Sequence, residues 1–140
     1  MIPAGDKVSK QYKHYLEEKI MSDIKTSLNE LLEIDGAKHA ALVDSSSGMV
    51  LGDTGSTGID MELAAAGNSQ VVKAKLDTMK SLGINEELED ILVTIESQYH
   101  ILRPIVSEKG LFFYLVLDKS KANLALARRK IQNIEKSLQI

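Results

Sequence analysis

The groups from which this chain would have to build chemistry are few: three histidines, His14, His39 and His100, scattered carboxylates and hydroxyls, and no cysteine. Without cysteine there is no thiolate nucleophile, no disulfide framework and no cysteine-ligated zinc or iron–sulfur site. His39, Asp44 and the serines Ser45, Ser46 and Ser47 supply the residue types of a hydrolase triad. Yet His39 and Asp44 are five apart on one predicted strand, so they point to opposite faces and cannot hydrogen-bond directly. His14 falls on a predicted helix and His100 on a different strand, without the paired spacing of a histidine metal site, and all three histidines read as structural.

The segment Gly52, Asp53, Thr54, Gly55, Ser56, Thr57, Gly58 has glycines that would let backbone amides approach an anion. It lacks the lysine and following hydroxyl of a phosphate-binding loop and reads as a mobile connection. Glu86, Glu87, Glu89 and Asp90 could pair for acid–base work or hold a metal. Carboxylates just before a strand are more often a solvated connector that discourages stray edge pairing. On the last helix Lys119, Lys121, Arg128, Arg129 and Lys130 outweigh Asp118, giving a solvated face or a docking patch for an acidic partner. Lys121, Arg128 and Arg129 are the candidates for that docking. No cofactor, metal or catalytic residue is expected.

The elements that must position these groups fit one domain within 140 residues. A formal charge of −3 and a pI near 5.6 disfavour nucleic acid or an anionic membrane as a partner of the whole surface. The first twenty residues carry Lys7, Lys10, Lys13, Glu17, Glu18 and Lys19 and no apolar run, so no secretory signal is expected. No stretch reaches the ~20 apolar residues of a membrane span. Direct membrane insertion is not expected, and the chain is expected in the cytoplasm.

Across residues 6–34 Val8, Tyr12, Leu16, Ile20, Ile24, Leu28 and Leu31 recur at helical spacing, predicting one long helix or two in series. A strict step of four winds by roughly 40° per step, so one flat partner cannot cover the whole stripe. Two β-type runs follow, 37–44 and 49–51, joined by a Ser-Ser-Ser-Gly turn. Asp60 is a good N-cap for a helix that should run to about Leu82 and stop at Gly83. Strands are predicted at 91–96, 100–106 and 111–117, with turns at 97–99 and 108–110. The last strand has no polar break and should be covered on both faces. Pro104 places an edge or bulge at the end of the strand before it. A final helix from about Ser120 aligns Leu124, Ala127, Ile131, Ile134 and Leu138.

On a helical wheel the middle helix has one polar face, Glu62, Ser69, Gln70, Lys73, Asp77 and Lys80, and an apolar arc wider than one sheet contact needs. The arc divides into Met61, Ala65, Val72, Leu76 and Met79 on one side and Leu63, Ala64, Gly67, Val71 and Ala74 on the other. Both stripes could bury inside a monomer. A helix packed on its own sheet and, through the small-residue stripe, on a partner fits the pattern better.

The order helix, two strands, helix, three strands, helix joins more specific signals. Ile34, Asp35, Gly36 and Ala37 enter the first strand, and Ala41, Leu42, Val43 and Asp44 lead through Gly48 to Met49, Val50 and Leu51. Leu102, Arg103, Pro104 and Ile105 follow, then Leu117 and Asp118 with Asn123, Leu124, Ala125, Leu126, Ala127 and Arg128. Together, over residues 22–138, these resemble the roadblock / dynein light-chain family. The resemblance implies an α+β fold: a five-stranded, mainly antiparallel sheet with the middle helix on one face and the terminal helices on the other. It implies a homodimer joined through the middle helix and third strand, with Leu63, Ala64, Gly67, Val71, Ala74, Ile91, Val93 and Ile95 at the interface. It further implies a scaffold or regulator of a Ras-like small GTPase, or a light chain of dynein. Residues 1–21 then stand as an N-terminal helical extension and 22–140 as the roadblock-like domain. The alternative is a ligand-binding sensor on a profilin-like sheet, with residues 52–58 as its binding element.

Overall fold

The computed structural model describes residues 9–138. Its elements run α1 (Lys10–Leu32), β1 (Ala37–Asp44), β2 (Met49–Gly55), α2 (Met61–Ser81), β3 (Ile91–Thr94), β4 (Gln98–Pro104), β5 (Leu111–Asp118) and α3 (Leu124–Ser137). The strands form one five-stranded sheet in the order β2-β1-β5-β4-β3, every neighbouring pair antiparallel. This is the α+β arrangement that the sequence predicts.

β5 lies at the centre, and Phe112 to Leu117 are each no more than 1% exposed. Side chains alternate along a strand, so such a run demands cover on both faces. On one face Phe113, Leu115 and Leu117 pack with Ala40, Leu42 and Ile101 against Ile24, Leu28 and Leu31 of α1 and Ala127 and Ile131 of α3. On the other, Phe112, Tyr114 and Val116 pack with Ala41, Val43 and Leu102 against Met61, Ala65 and Val72 of α2.

α1 is one continuous helix, capped by the Ser9 hydroxyl accepting from the Tyr12 amide at 3.1 Å. Its predicted stripe reaches the core only from Ile20 onward, while Tyr12 and Leu16 stay exposed. Val8, and the predicted start of this helix at residue 6, lie outside the described residues. Asp60 caps α2 by accepting from the Leu63 amide at 3.2 Å, and Gly83 follows its end at φ 70°, a conformation that carries no side-chain penalty in glycine.

Several expectations are corrected. β2 does not stop at Leu51 but continues to Gly55, so residues 52–55 are strand rather than loop. A Cβ on Gly52 would lie 3.2 Å from Leu28 Cδ1, so the glycine there admits α1 against the sheet. β3 ends at Thr94 and β4 begins at Gln98, because Ile95 and Gln98 exchange backbone hydrogen bonds at 3.0 and 3.4 Å across a turn made by Glu96 and Ser97. α3 starts at Leu124, since Ser120 is held in a turn by the Asp118 carboxylate and Asn123 supplies the cap. Ser69, placed on the polar face of the middle helix, is buried. Its hydroxyl donates to the Ala65 carbonyl at 2.7 Å, which satisfies it without water. Leu76, assigned to the core stripe, is exposed.

Pro104 closes β4 opposite Phe112, beyond the reach of β3, whose pairing ends at Leu102, so its missing N–H costs no ladder bond on that side. Beside it Arg103 is buried and donates from Nε and Nη2 to Glu135 Oε1 at 3.2 and 3.0 Å. Glu135 Oε2 accepts from the Val106 amide at 3.4 Å, tying α3 to the end of β4. Removing one partner of such a pair leaves a buried, uncompensated charge. Glu135→Ala should therefore destabilise by about 3–5 kcal/mol. The double change Arg103→Met/Glu135→Leu should cost far less. Both are read from urea unfolding midpoints at unchanged m-value.

Candidate functional site

α2 meets its sheet through Met61, Ala65, Ser69, Val72 and Met79, all buried. The spacing of α2 then turns its second apolar stripe away from the sheet. Leu63 is 71% exposed, Gly67, Val71 and Ala74 are exposed, and Ala64 is half-buried. A Cβ built on Gly67 meets nothing within 4 Å, so its own monomer does not require glycine there.

α2 lies chiefly over β1 and β2. At the far edge of the sheet, β3 has β4 as its only neighbour among the described residues. Ile91 packs at the margin of the α2-side core, while Val93 and the turn residue Ile95 are exposed. The eight residues assigned to an interface thus occupy two places, five on the outer side of α2 and three along the free β3 edge. Among the described residues none of these side chains forms a hydrogen bond or ion pair, as expected of apolar groups.

The docking candidates are placed differently from one another. Arg128 donates from Nε and Nη2 to both carboxylate oxygens of Asp90 at 2.9 and 3.1 Å, and that partner, first by its hydrogen bond and then by its charge, raises the arginine pKa. The acidic connector before β3 is therefore tied to α3 through one of its own members. Lys121 and Arg129 are exposed.

Three polar clusters were not legible beforehand. His39 of β1 is buried and contacts Asp53 through Nε2 at 2.7 Å and Thr57 Oγ1 through Nδ1 at 3.4 Å. The register places Gly55 opposite His39 and Asp53 opposite Ala41, so His39 reaches two residue pairs along the hairpin to find its carboxylate. The signal lies in the hairpin itself, which a loop reading of residues 52–55 conceals. Aspartate, imidazole and hydroxyl resemble a triad in composition only. Thr57 Oγ1 also accepts from the Ile59 amide at 3.1 Å, so the cluster fastens the connection that leads into α2. Asp44 instead organises its own turn, accepting from the Ser46 amide and hydroxyl and from the Ser47 hydroxyl. The Ser46 hydroxyl bond chiefly holds its pKa below the usual carboxylate value.

The third cluster borders the open part of the sheet. His100 Nδ1 accepts from the Tyr114 hydroxyl at 2.9 Å, and His100 Nε2 donates to Gln98 Oε1 at 2.9 Å, an arrangement that suits the neutral ring. Burial lowers the His100 pKa and raises that of Tyr114. Val93 of β3 pairs with His100, so this row links β5 and β4 to the edge strand. Among the described residues no group of three or more histidine, aspartate or glutamate side chains could hold a metal ion. No described helix is long and apolar enough to cross a membrane.

Because His100 is harder to protonate in the folded chain, the unfolded chain takes up the proton first as pH falls. Its contribution is whole above the ordinary histidine value of 6.5 and is lost as the pH drops below it. Urea unfolding of the native chain and His100→Gln between roughly pH 5 and pH 7.5 should show a stability gap that shrinks towards acid. A gap constant across that range would place the pH dependence elsewhere.

No protein-family model matches the sequence, and no curated protein matches it. Solved structures do match in three dimensions. Myxococcus xanthus MglB superposes with a TM-score of 0.74 at 20% identity, covering 83% of this chain and 84% of that one. The Roadblock/LC7 domain from Streptomyces avermitilis gives 0.67 at 13% identity over 83% and 91% of the two chains. The gliding protein MglB from Thermus thermophilus gives 0.66 at 17% identity over 97% and 98%. With the element order, sheet order and placement of helices described above, the chain has the roadblock/LC7 fold.

Proposed function

We propose that this chain is a non-enzymatic, homodimeric interaction module that binds and regulates a Ras-like small GTPase in the cytoplasm. The single observation that carries the reading is the apolar outer stripe of α2, which its own sheet leaves bare, together with the β3 edge, unpaired among the described residues. An exposed edge strand and an exposed apolar helix face are each a liability in water unless a partner covers them. A second copy does so with the same surface, joining β3 to β3 and α2 to α2 about a two-fold axis. The fold shared with MglB and roadblock structures supports this class of protein over an enzyme. Residues 22–140 form the module in this reading, and residues 1–21 are an extension to it. The ligand-sensor alternative loses residues 52–55 of its binding loop to β2.

The module contributes surface and geometry to its partner rather than nucleotide chemistry. It has no phosphate-binding lysine loop, and its arginines are poorly placed to enter a partner's site. Arg103 is buried against Glu135, Arg128 is held by Asp90, and Arg129 sits on a regular turn of α3. Any acceleration of GTP hydrolysis then comes from ordering residues of the GTPase itself. Lys121 and Arg129 offer positive charge to an acidic patch on that partner.

Gly67→Glu should leave the monomer folded, since the added side chain has open space, and should shift the chain from dimer to monomer in sedimentation velocity. The native chain should also melt at a temperature that rises with its concentration. An unaltered dimer carrying Gly67→Glu would remove α2 from the interface. With small GTPases of the native cell, Arg128→Ala and Arg129→Ala should each keep most of any stimulated hydrolysis at saturating module. Loss of turnover in a complex that still forms would make that arginine catalytic.

A further inference from the structure

The sheet has two edges, and the β2 edge is less guarded than the β3 edge. β2 pairs with β1 alone among the described residues, so the backbone N–H and C=O groups along its other side have no strand partner. The β3 edge follows the carboxylates Glu86, Glu87 and Glu89, which deter chance pairing. β2 carries no lysine, arginine or proline, and its one charge, Asp53, is engaged by His39. None of its seven residues is buried, and Met49 and Leu51 are exposed apolar groups.

A groove runs beside this edge on the α1 face. Its volume is about 420 Å³, within the ~300–1,000 Å³ typical of ligand pockets, and it opens where the exposed overhang of α1, residues 10–19, meets the core. Ile24 and Leu28 are its buried members, while Met21, 56% exposed, and Leu51 border the opening. Leu51 is there because of a bulge: Val43 pairs with Val50 and Leu42 with Gly52, which leaves Leu51 outside the register. A bulge re-aims a side chain and limits the stretch on which another strand can pair. Lys25 also lines the groove and forms no ion pair among the described residues. The two walls match in length, since Met21 to Asn29 of α1 rise about 12 Å and Leu51 to Thr54 of β2 about 10 Å.

We propose that the β2 edge and this groove form a peptide-binding site, where an extended segment of a partner protein adds to the sheet as a sixth strand. The free backbone groups select an extended chain over a helix, and about four residues can pair between the bulge and the turn at Gly55. Alternate side chains of that segment face α1. One of them, large and apolar, seats over Ile24 and Leu28 between Met21 and Leu51. The next on the same face, two positions away, is a carboxylate opposite Lys25, because no acid among the described residues neutralises that lysine. The site lies on the α1 side of the sheet, away from α2 and β3, and holds whether or not those form a dimer contact.

Random dodecapeptides displayed on phage and selected on the full chain supply the probes, with Leu51→Asp as the counter-selection. Leu51 and Lys25 are both exposed, so Lys25→Glu serves as a second variant should Leu51→Asp fail to keep its thermal unfolding. Selected peptides should share an apolar residue two positions from an acid, and Lys25→Glu should weaken them about tenfold in isothermal titration calorimetry. Exchanging the acid of the peptide for lysine should restore binding to Lys25→Glu. N-methylation of every second backbone amide should abolish binding in one parity and spare it in the other, as strand addition requires. Peptides that bind as helices, an equal effect of both methylated series, or no enrichment over Leu51→Asp would overturn the proposal. So would a sedimentation mass that falls on Leu51→Asp, which gives the groove to a second copy, or tighter peptide binding by Ile2→Asp, which gives it to residues 1–8. If Gly67→Glu leaves the mass of the chain unchanged while the peptides still bind, the α2 reading fails and this one stands.

Discussion

Everything in this fold answers to the burial of β5 on both faces. Six successive apolar or aromatic side chains in an extended strand cannot be hidden by one layer of helix, because half of them point each way. The chain meets that demand with α1 and α3 on one side and α2 on the other. Two helices suffice for one face, but a single helix cannot cover the other out to β3. The bare stripe of α2 and the uncovered edge are what this packing leaves exposed.

Polar groups are used in this structure to fix the angles at which the layers meet. Arg103 and Glu135 lock α3 to β4 inside the α1 side. His39, Asp53 and Thr57 hold the connection that delivers the chain to α2, while His100, Tyr114 and Gln98 form a hydrogen-bonded row near the open margin. Among the described residues no buried side-chain polar atom lacks a partner. Such satisfaction matters more than the number of bonds, since an unpaired buried group forfeits its whole hydration.

The parts of this arrangement that rest on local chemistry could be read from sequence. Asp60 and Gly83 mark the ends of α2 by the cap and the left-handed turn they favour, and the unbroken run of β5 announces its central place. What depends on tertiary neighbours could not. Gly52 and Gly55 look like loop residues, but the nearness of α1 explains the first, and a φ of 98° with the β1 backbone of Lys38 and His39 against it explains the second. Ser69 looks solvent-facing on a wheel, and only its bond to Ala65 makes burial cheap. Arg103 and Glu135 are 32 positions apart and His39 and Asp53 are 14 apart, so their pairing follows from register and packing rather than pattern. The outer stripe of α2 and the overhang of α1 were visible as periodicity, although periodicity cannot tell which apolar face meets the sheet.

The ladder between β1 and β5 has a kinetic meaning. Each remaining pair in the sheet joins neighbours along the chain, β1 with β2 and β4 with β3 and β5, and can form as a hairpin. The β1–β5 ladder alone unites those two groups, bringing Asp44 opposite Leu111 and Ala37 opposite Leu117. Closing so long a loop must precede any reward from the contacts it makes, and neither group has a complete core before it closes. Folding is therefore gated by one distant encounter, with α2 carried in the intervening loop. Until that encounter occurs, the most aggregation-prone strand of the protein has an open side.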